Sequence, residues 1–275
     1  MFNDKYSVLM SVYQKENPNH LKESISSMLN QSIVPDEIVL VKDGPLTKDL
    51  DLALKEISSN SIINICSIKE NVGLGRALNF GLENCRNELV VRMDTDDISM
   101  SDRCEKQLKI FNDNNDLSVL GTSIEEFIGT PENIVGYKYV KEDKSDIQKQ
   151  IKFRNPMNHP SVMFRKSHVQ NSGSYLEWFL NEDYYLWIRM IQNNYQFANI
   201  NEPLVKMRVS SETYLRRGGY KYYKTQKKLF LYMLENKIIN LNIYLYNNII
   251  RFIARVMIPN WLRKLLYLKL LRRRN

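Results

Sequence analysis

Residues Val90 to Asp97 read Val-Val-Arg-Met-Asp-Thr-Asp-Asp, an apolar run that ends abruptly in three carboxylates. An unbroken β-branched run is what a strand buried on both faces of a parallel sheet requires, and Glu88-Leu89-Val90-Val91-Arg92-Met93 approximates one. Ligands of open α/β sheets sit outside the carboxyl ends of the strands, where Asp94, Asp96 and Asp97 would emerge. Crowded carboxylates repel one another unless a cation lies among them. Hard divalent cations such as Mg²⁺ take oxygen ligands and complete their shell with substrate phosphates. The competing reading is an Asp-rich turn that only caps the next helix.

The preceding residues alternate strand-like and helix-like patterns. Tyr6–Tyr13, Glu37–Asp43 and Ile62–Ile68 read as strands. Between them, Asn19 or His20 to Asn30 and Leu50 to Ile57 read as helices, and Arg76 to Cys85 as a third. Strands separated by such helices imply right-handed crossovers and a Rossmann-like parallel sheet. Beyond Asp97 the pattern changes. Ser101 is expected to cap a helix through Phe111; Ser118–Ile128, Ile134–Val140 and Ser161–Phe164 read as strands, Asp143–Ile151 as a short helix, and Leu180–Ile191 as an amphipathic helix opened by acidic residues.

The 275 residues suffice for one large α/β domain with an appendage. Cys66, Cys85 and Cys104 form no close pair and no metal-type spacing, which points to a reducing compartment. No N-terminal signal and no run of about 18 uncharged apolar residues is legible, so the expectation is a cytosolic protein. The net charge of +8 is uneven: Ser210 to Asn275 carries 15 basic and 2 acidic side chains, whereas the remainder carries 24 and 29. The basicity belongs to the tail.

Five segments together, over roughly Tyr6 to Arg208, resemble the inverting glycosyltransferases of family 2, whose domain is the GT-A fold. They are Val8-Leu-Met-Ser-Val-Tyr13, Glu37-Ile-Val-Leu-Val-Lys-Asp-Gly44, Asn71-Val-Gly-Leu-Gly-Arg-Ala-Leu-Asn-Phe-Gly81, Met93-Asp-Thr-Asp-Asp97 and Glu182-Asp-Tyr-Tyr-Leu-Trp187. Asn158-His-Pro-Ser-Val-Met-Phe-Arg165 is similar to the bacterial O-antigen and capsule branch. The resemblance implies a nucleotide-sugar-binding half over residues 1–100 and an acceptor-binding half with a mixed sheet over 101–209, followed by basic amphipathic helices over 210–275.

It also implies roles. Val12, Tyr13 and Glu16 begin the nucleotide pocket. Asp43 holds a uracil ring, since a carboxylate accepts from a base N–H; the family's usual preceding acid is Lys42 here. Asn71, Gly73 and Arg76 lie beside the diphosphate or sugar, with a surface position for Arg76 as the other reading. A dinucleotide fingerprint is excluded, because Leu78 stands where its third small residue belongs. Asp96 ligates Mg²⁺ or Mn²⁺, Asp94 contacts the ribose or a metal-bound water beside Thr95, and Asp97 reads as a turn residue. Asp183 is the expected base that deprotonates the acceptor hydroxyl, with Glu182 orienting the acceptor. The other reading of that pair is acidic residues favoured by the helix dipole. His159 and Trp178 are acceptor-side candidates, or a structural histidine and a packing aromatic.

In the tail, Trp261 to Arg274 mixes aromatic, leucine and basic residues, a pattern suited to anionic lipid, while Leu229 to Ile253 is expected to pack. The resemblance, together with this tail, implies a metal-dependent transferase at the cytoplasmic face of the inner membrane. It would move a sugar from a UDP-sugar to a polyprenyl-diphosphate-linked saccharide in surface-polysaccharide assembly, with no nucleic-acid partner. The rival readings are a nucleotidyltransferase, against which Ser11 to Glu16 lacks a glycine- and arginine-rich phosphate loop, and a non-catalytic basic binding protein.

Overall fold

The computed structural model describes residues 5–210 and 218–259. The lipid-binding expectation for Trp261 to Arg274 lies outside the described residues. The chain opens with β1 (Ser7–Val12), β2 (Glu37–Asp43), β3 (Ile63–Ile68) and β4 (Leu89–Arg92), all parallel. Helices α1 (Pro18–Leu29), α2 (Lys48–Ile57) and α3 (Leu74–Asn84) connect them. Asn17 caps α1 by accepting from the Asn19 amide, and Pro18 occupies the first turn, where a missing N–H costs nothing.

Next come β5 (Ile98–Ser99), α4 (Arg103–Asp113), β6 (Leu117–Phe127), β7 (Ile134–Lys138), α5 (Lys144–Gln150), β8 (Met163–Arg165), α6 (Lys166–Asn171), α7 (Glu182–Gln192) and β9 (Gln196–Arg208). One sheet holds every described strand, in the order β3-β2-β1-β4-β8-β6-β9-β5, with β7 pairing β6. Strand β8 runs antiparallel to both β4 and β6, so it reverses direction at the middle of the sheet.

Alternation along the strands divides the core into two layers. Val8, Met10 and Val12 of β1 and Leu89 and Val91 of β4 face α1, α2 and α4. Leu9 and Val90 face the opposite layer, built on α3, α5 and α7. The period of two places alternate residues on opposite faces. Helix α3 lies close to the sheet because Gly81 offers no side chain: a Cβ there would meet Leu9 Cδ1 at 2.4 Å and Val41 Cγ2 at 2.6 Å.

Helices α8 (Gly219–Glu235) and α9 (Leu241–Phe252) follow, ending in a π-helical turn at Ile253–Met257. Leu229, Phe230 and Met233 are fully buried against the second core layer, each worth roughly 1.5–3 kcal/mol of apolar burial. The expectation that Leu229 to Ile253 packs holds for α8 and only partly for α9. Asn247 of α9 is buried, but Leu245, Ile249 and Phe252 are exposed.

Three further expectations change. The third helix begins at Leu74 and not Arg76, after Gly73 at φ +87°. Asp102, not Ser101, precedes α4 and makes no side-chain cap bond. The sequence reading also missed β9, because Asn199 to Pro203 interrupts its apolar pattern; the strand absorbs that polar stretch through register shifts against β6, as a proline within a sheet requires.

Candidate active site

The carboxyl ends of β1, β2 and β4 open into a cavity of about 1220 Å³. Gly44 makes the turn after β2 at φ +83°, and a Cβ there would lie 2.5 Å from the Asn71 nitrogen. That glycine lets the β2 turn touch the loop before α3. Asp43 holds the same loop: Oδ1 accepts from the Val72 amide at 2.8 Å, and Oδ2 accepts from Asn71 Nδ2 at 3.0 Å and the Gly73 amide at 3.2 Å. Three of its acceptor sites are therefore spent on organising residues 71–73. A carboxylate offers about four, so one remains. Lys42, in the place of the missing acid, pairs with Asp51.

Of the expected residues on β1, Tyr13 and Glu16 line the cavity, and so does Ser11, which the sequence reading did not single out. Val12 does not: it points into the first core layer and is fully buried. Alternation on the strand explains the exchange. Arg76 is likewise absent from the lining. It is exposed and pairs with Glu177 at 3.2 Å, so the surface reading applies to it.

Arg92 and Asp94 sit two residues apart and share a face of the β4 segment, and the Arg92 guanidinium binds Asp94 Oδ1. Burial pushes the Arg92 pKa down, but the Asp94 charge and hydrogen bond outweigh it and the net shift is upward. Arg92 Nε and Nη1 are buried without a hydrogen-bond acceptor among the described residues. The Thr95 hydroxyl turns back to the Ser11 carbonyl at 3.4 Å.

Asp94, Asp96 and Asp97 each bring an oxygen into a group whose members lie within 4.8 Å of one another. Burial, then Asp94, raises the Asp96 pKa to about 6. Burial also lifts Asp97 well above the carboxylate range, aided by Asp96 and Asp94. Asp97, expected as a turn residue, is instead buried and bonded to a distant strand. It is 1% exposed, its Oδ1 accepts from the Arg208 amide at 2.8 Å, and its Oδ2 has no hydrogen-bond partner among the described residues. Arg208, at the end of β9, also donates from Nε to the Asp96 carbonyl at 3.1 Å and pairs with Glu23, which fixes the loop. Clustered hard oxygens, one of them buried and unsatisfied, fit a divalent cation of the Mg²⁺ or Mn²⁺ type.

On the opposite wall, α7 begins with Glu182 and Asp183. Leu180, just before them, has φ +57°, a left-handed conformation uncommon for a bulky residue. Asp183 Oδ2 accepts from Asn155 Nδ2 at 2.6 Å. Burial raises the Asp183 pKa, opposed by the Tyr184 amide, by Asn155 and by the Arg92 and Lys138 charges. Burial raises Glu182 to about 7. The two walls touch: a Cβ on Gly75 of α3 would sit 3.5 Å from Glu182 Cγ. Asn79 bonds the Tyr175 backbone in both directions, at 2.7 and 2.8 Å.

His159 lines the cavity and its Nε2 lies 2.9 Å from the Tyr175 hydroxyl. Burial, then Arg92, drives its pKa well below the usual histidine range, so the imidazole is neutral. Trp178 does not line the cavity. Its Nε1 donates to the Thr225 carbonyl at 3.1 Å and its ring packs 4.4 Å from Tyr185 and 5.1 Å from Lys228. It docks α8, which is the packing reading of that residue.

A family description, "Glycosyl transferase family 2", matches residues 7–171. The chain is 36% identical over 269 residues to a UDP-Gal:alpha-D-GlcNAc-diphosphoundecaprenol beta-1,3-galactosyltransferase of Escherichia coli, covering 98% of this chain and 97% of that protein. It is 35% identical over 232 residues to the amylovoran biosynthesis glycosyltransferase AmsE of Erwinia amylovora, covering 84% and 86%. Among solved structures, residues 1–349 of S. aureus TarS in complex with UDP-GlcNAc superpose with a TM-score of 0.66 at 18% identity, covering 97% of this chain and 76% of that one. At that identity the likeness is one of fold, the GT-A fold.

Proposed function

The chain belongs to glycosyl transferase family 2 and is a glycosyltransferase, and from that premise we propose that it moves a hexosyl residue from a UDP-sugar to a lipid-diphosphate-linked saccharide during surface-polysaccharide assembly. Family membership sets aside the nucleotidyltransferase and binding-protein readings. One observation carries the proposal: the Asp94/Asp96 carboxylates and the Asp183 carboxylate line one cavity. A relative similar over nearly its whole length is named for this donor and acceptor class.

Asp43 and the loop it orders, residues 71–73, bound the donor end with Ser11, Tyr13 and Glu16. Asp96 and Asp94, with Asp97 behind them, would hold Mg²⁺ or Mn²⁺; such an ion, when bound, offsets charge on the departing diphosphate. Arg92 keeps Asp94 oriented. Asp183 takes the proton from the acceptor hydroxyl as its oxygen bonds to the anomeric carbon, and the bond to the diphosphate oxygen breaks on the opposite face. Attack from that face inverts the anomeric centre. Asn155 orients Asp183 and stabilises its ionised form. Glu182, whose pKa burial raises to about 7, is partly protonated at neutral pH and suits hydrogen bonding to acceptor hydroxyls.

Residues 1–209 are the proposed catalytic domain, and 210–275 the appendage that keeps it at the cytoplasmic face of an anionic membrane. No helix among the described residues is long and apolar enough to cross a membrane, so contact through exposed α9 side chains and basic residues is the form proposed. The deciding experiment screens UDP-sugars against a synthetic saccharide-diphosphate-lipid, reading product mass and anomeric configuration. Retained anomeric configuration, or no transfer from any UDP-sugar, would overturn the reading.

A further inference from the structure

The cavity has two electrostatic ends. Asp94 and Asp96 make one of them acidic, with Asp97 buried behind them. The other is basic, with Lys141, Arg154, Arg251 and Arg255 in its lining. The two arginines from the end of the chain sit on α9 and the π-helical turn after it, within a stretch from Asn236 to Asn275 that contains no Asp or Glu.

Arg251 is held in place by neutral groups. Its Nη1 donates to Asn247 Oδ1 at 2.6 Å, its Nη2 binds the Phe153 carbonyl, and its guanidinium lies 4.2 Å from the Phe230 ring centroid. No carboxylate is among these partners. Burial pushes its pKa down to about 10; nearby tyrosines act against this, whereas Arg255 adds to it. A guanidinium stays charged under those conditions, so two neighbouring positive charges share one wall. Arg255 is steadied 5.5 Å over the Tyr222 ring.

This wall is tied to the base end of the cavity. Arg251 grips Phe153, Arg154 is the next residue, and Asn155 after it bonds Asp183. Like charges gathered on a cavity wall favour an anion of at least two charges, and guanidinium forks match phosphate oxygens. The donor's diphosphate belongs at the carboxylate end, where a cation would offset it. A second, separate anion therefore suits the chemistry of the wall.

We propose that Arg154, Arg251 and Arg255 form an acceptor-side anion subsite that holds the diphosphate joining the acceptor saccharide to its lipid carrier. The inference rests on the lipid-diphosphate acceptor reading given above and deepens it. The placement suits a carrier whose chain leaves along α9, where Leu245, Ile249 and Phe252 are exposed. The saccharide then lies between the anchored diphosphate and Asp183, so the distance between them selects which hydroxyl reaches the base.

The test compares two acceptors in neutral detergent micelles: a saccharide-diphosphate-alkyl compound and the same saccharide on a neutral alkyl chain. Arg154→Gln and Arg255→Gln should each lower the kcat/KM preference for the diphosphate acceptor about tenfold, the loss expected for one charge-assisted hydrogen bond. An unchanged preference in both variants overturns the subsite. Binding of the same variants to phosphatidylglycerol vesicles separates the two sources of phosphate. Lost vesicle binding with an intact acceptor preference would make the wall a headgroup site and overturn the proposal. If the wild-type protein uses only the neutral acceptor, the functional reading itself fails. If it uses the diphosphate acceptor and the variants keep the preference, only the subsite fails.

Discussion

Asn155 Nδ2 donates to Asp183 Oδ2 at 2.6 Å, and this bond both aims the carboxylate and stabilises its charge. It works against the burial that raises the Asp183 pKa. Asn155→Ala should therefore move the acidic limb of the kcat–pH profile to higher pH and lower kcat at neutral pH roughly tenfold, within the range of general-base effects. Asp183→Asn should lower kcat by about a thousandfold or more while UDP binding, followed by calorimetry, persists. Turnover near the wild-type value in Asp183→Asn would remove it as the base.

Glu182 has a folded-state pKa raised from 4.5 to about 7. A raised carboxylate pKa means that the folded state binds the proton more tightly than the unfolded one. Its stabilising contribution is complete below about 4.5 and is lost as pH rises through about 7. Glu182→Gln mimics the neutral form, so its Tm should match the wild type near pH 4.5 and exceed it above pH 7. Thermal melts across that window check the sign, and a constant offset at all pH values would contradict it.

The carboxylate cluster predicts a metal response that needs no turnover. Mn²⁺ at a hundredfold excess over its Kd should stabilise the folded wild type by about 2.7 kcal/mol through binding linkage. Asp96→Ala should lose most of that stabilisation, and transfer should stop in excess chelator. An equal Tm rise in both proteins would place the ion elsewhere.

Gly81 packs α3 onto β1 and β2 with no room for a methyl group. Gly81→Ala should cost about 1–3 kcal/mol by overpacking, although alanine is the better helix former. Urea unfolding measures it. A neutral or stabilising result would mean that the helix moves away from the sheet at little cost.

The fold was largely legible where one physical signal dominated. Glu37 to Asp43 matches β2 residue for residue, because a buried apolar run meets a glycine that must take positive φ. Asp94, Asp96, Asp183 and His159 all line the cavity, as does the Asn71–Gly73 loop. Side-chain direction was harder to read. Val12 and Ser11 exchange roles through strand alternation, and Arg76 sits on the outer surface of α3. Asp97 was misjudged because its burial depends on Arg208, 111 positions away. Arg92 had a usable signal: it lies two residues before Asp94 where the extended chain leaves β4, a spacing that lets the two side chains meet. The basic wall had none, since it joins loop 153–155 to a helix almost a hundred residues later.

Strand β8 reverses direction between β4 and β6, and the Arg92 amide bonds the Val162 carbonyl at 2.9 Å just beside it. The carboxylates that follow β4 and the loop that leads into β8, whose Asn155 bonds Asp183, therefore hang from adjacent strands. Neighbouring strands in a sheet lie about 4.8 Å apart, a distance fixed by the backbone. The strand ends that carry the carboxylate cluster and the Asn155 loop are thus held together by the sheet itself. Sugar preference can then drift through the loops that rim the cavity while the reaction keeps its geometry. Exchanging residues 137–141 between relatives should alter which sugars are joined without retuning how they are joined.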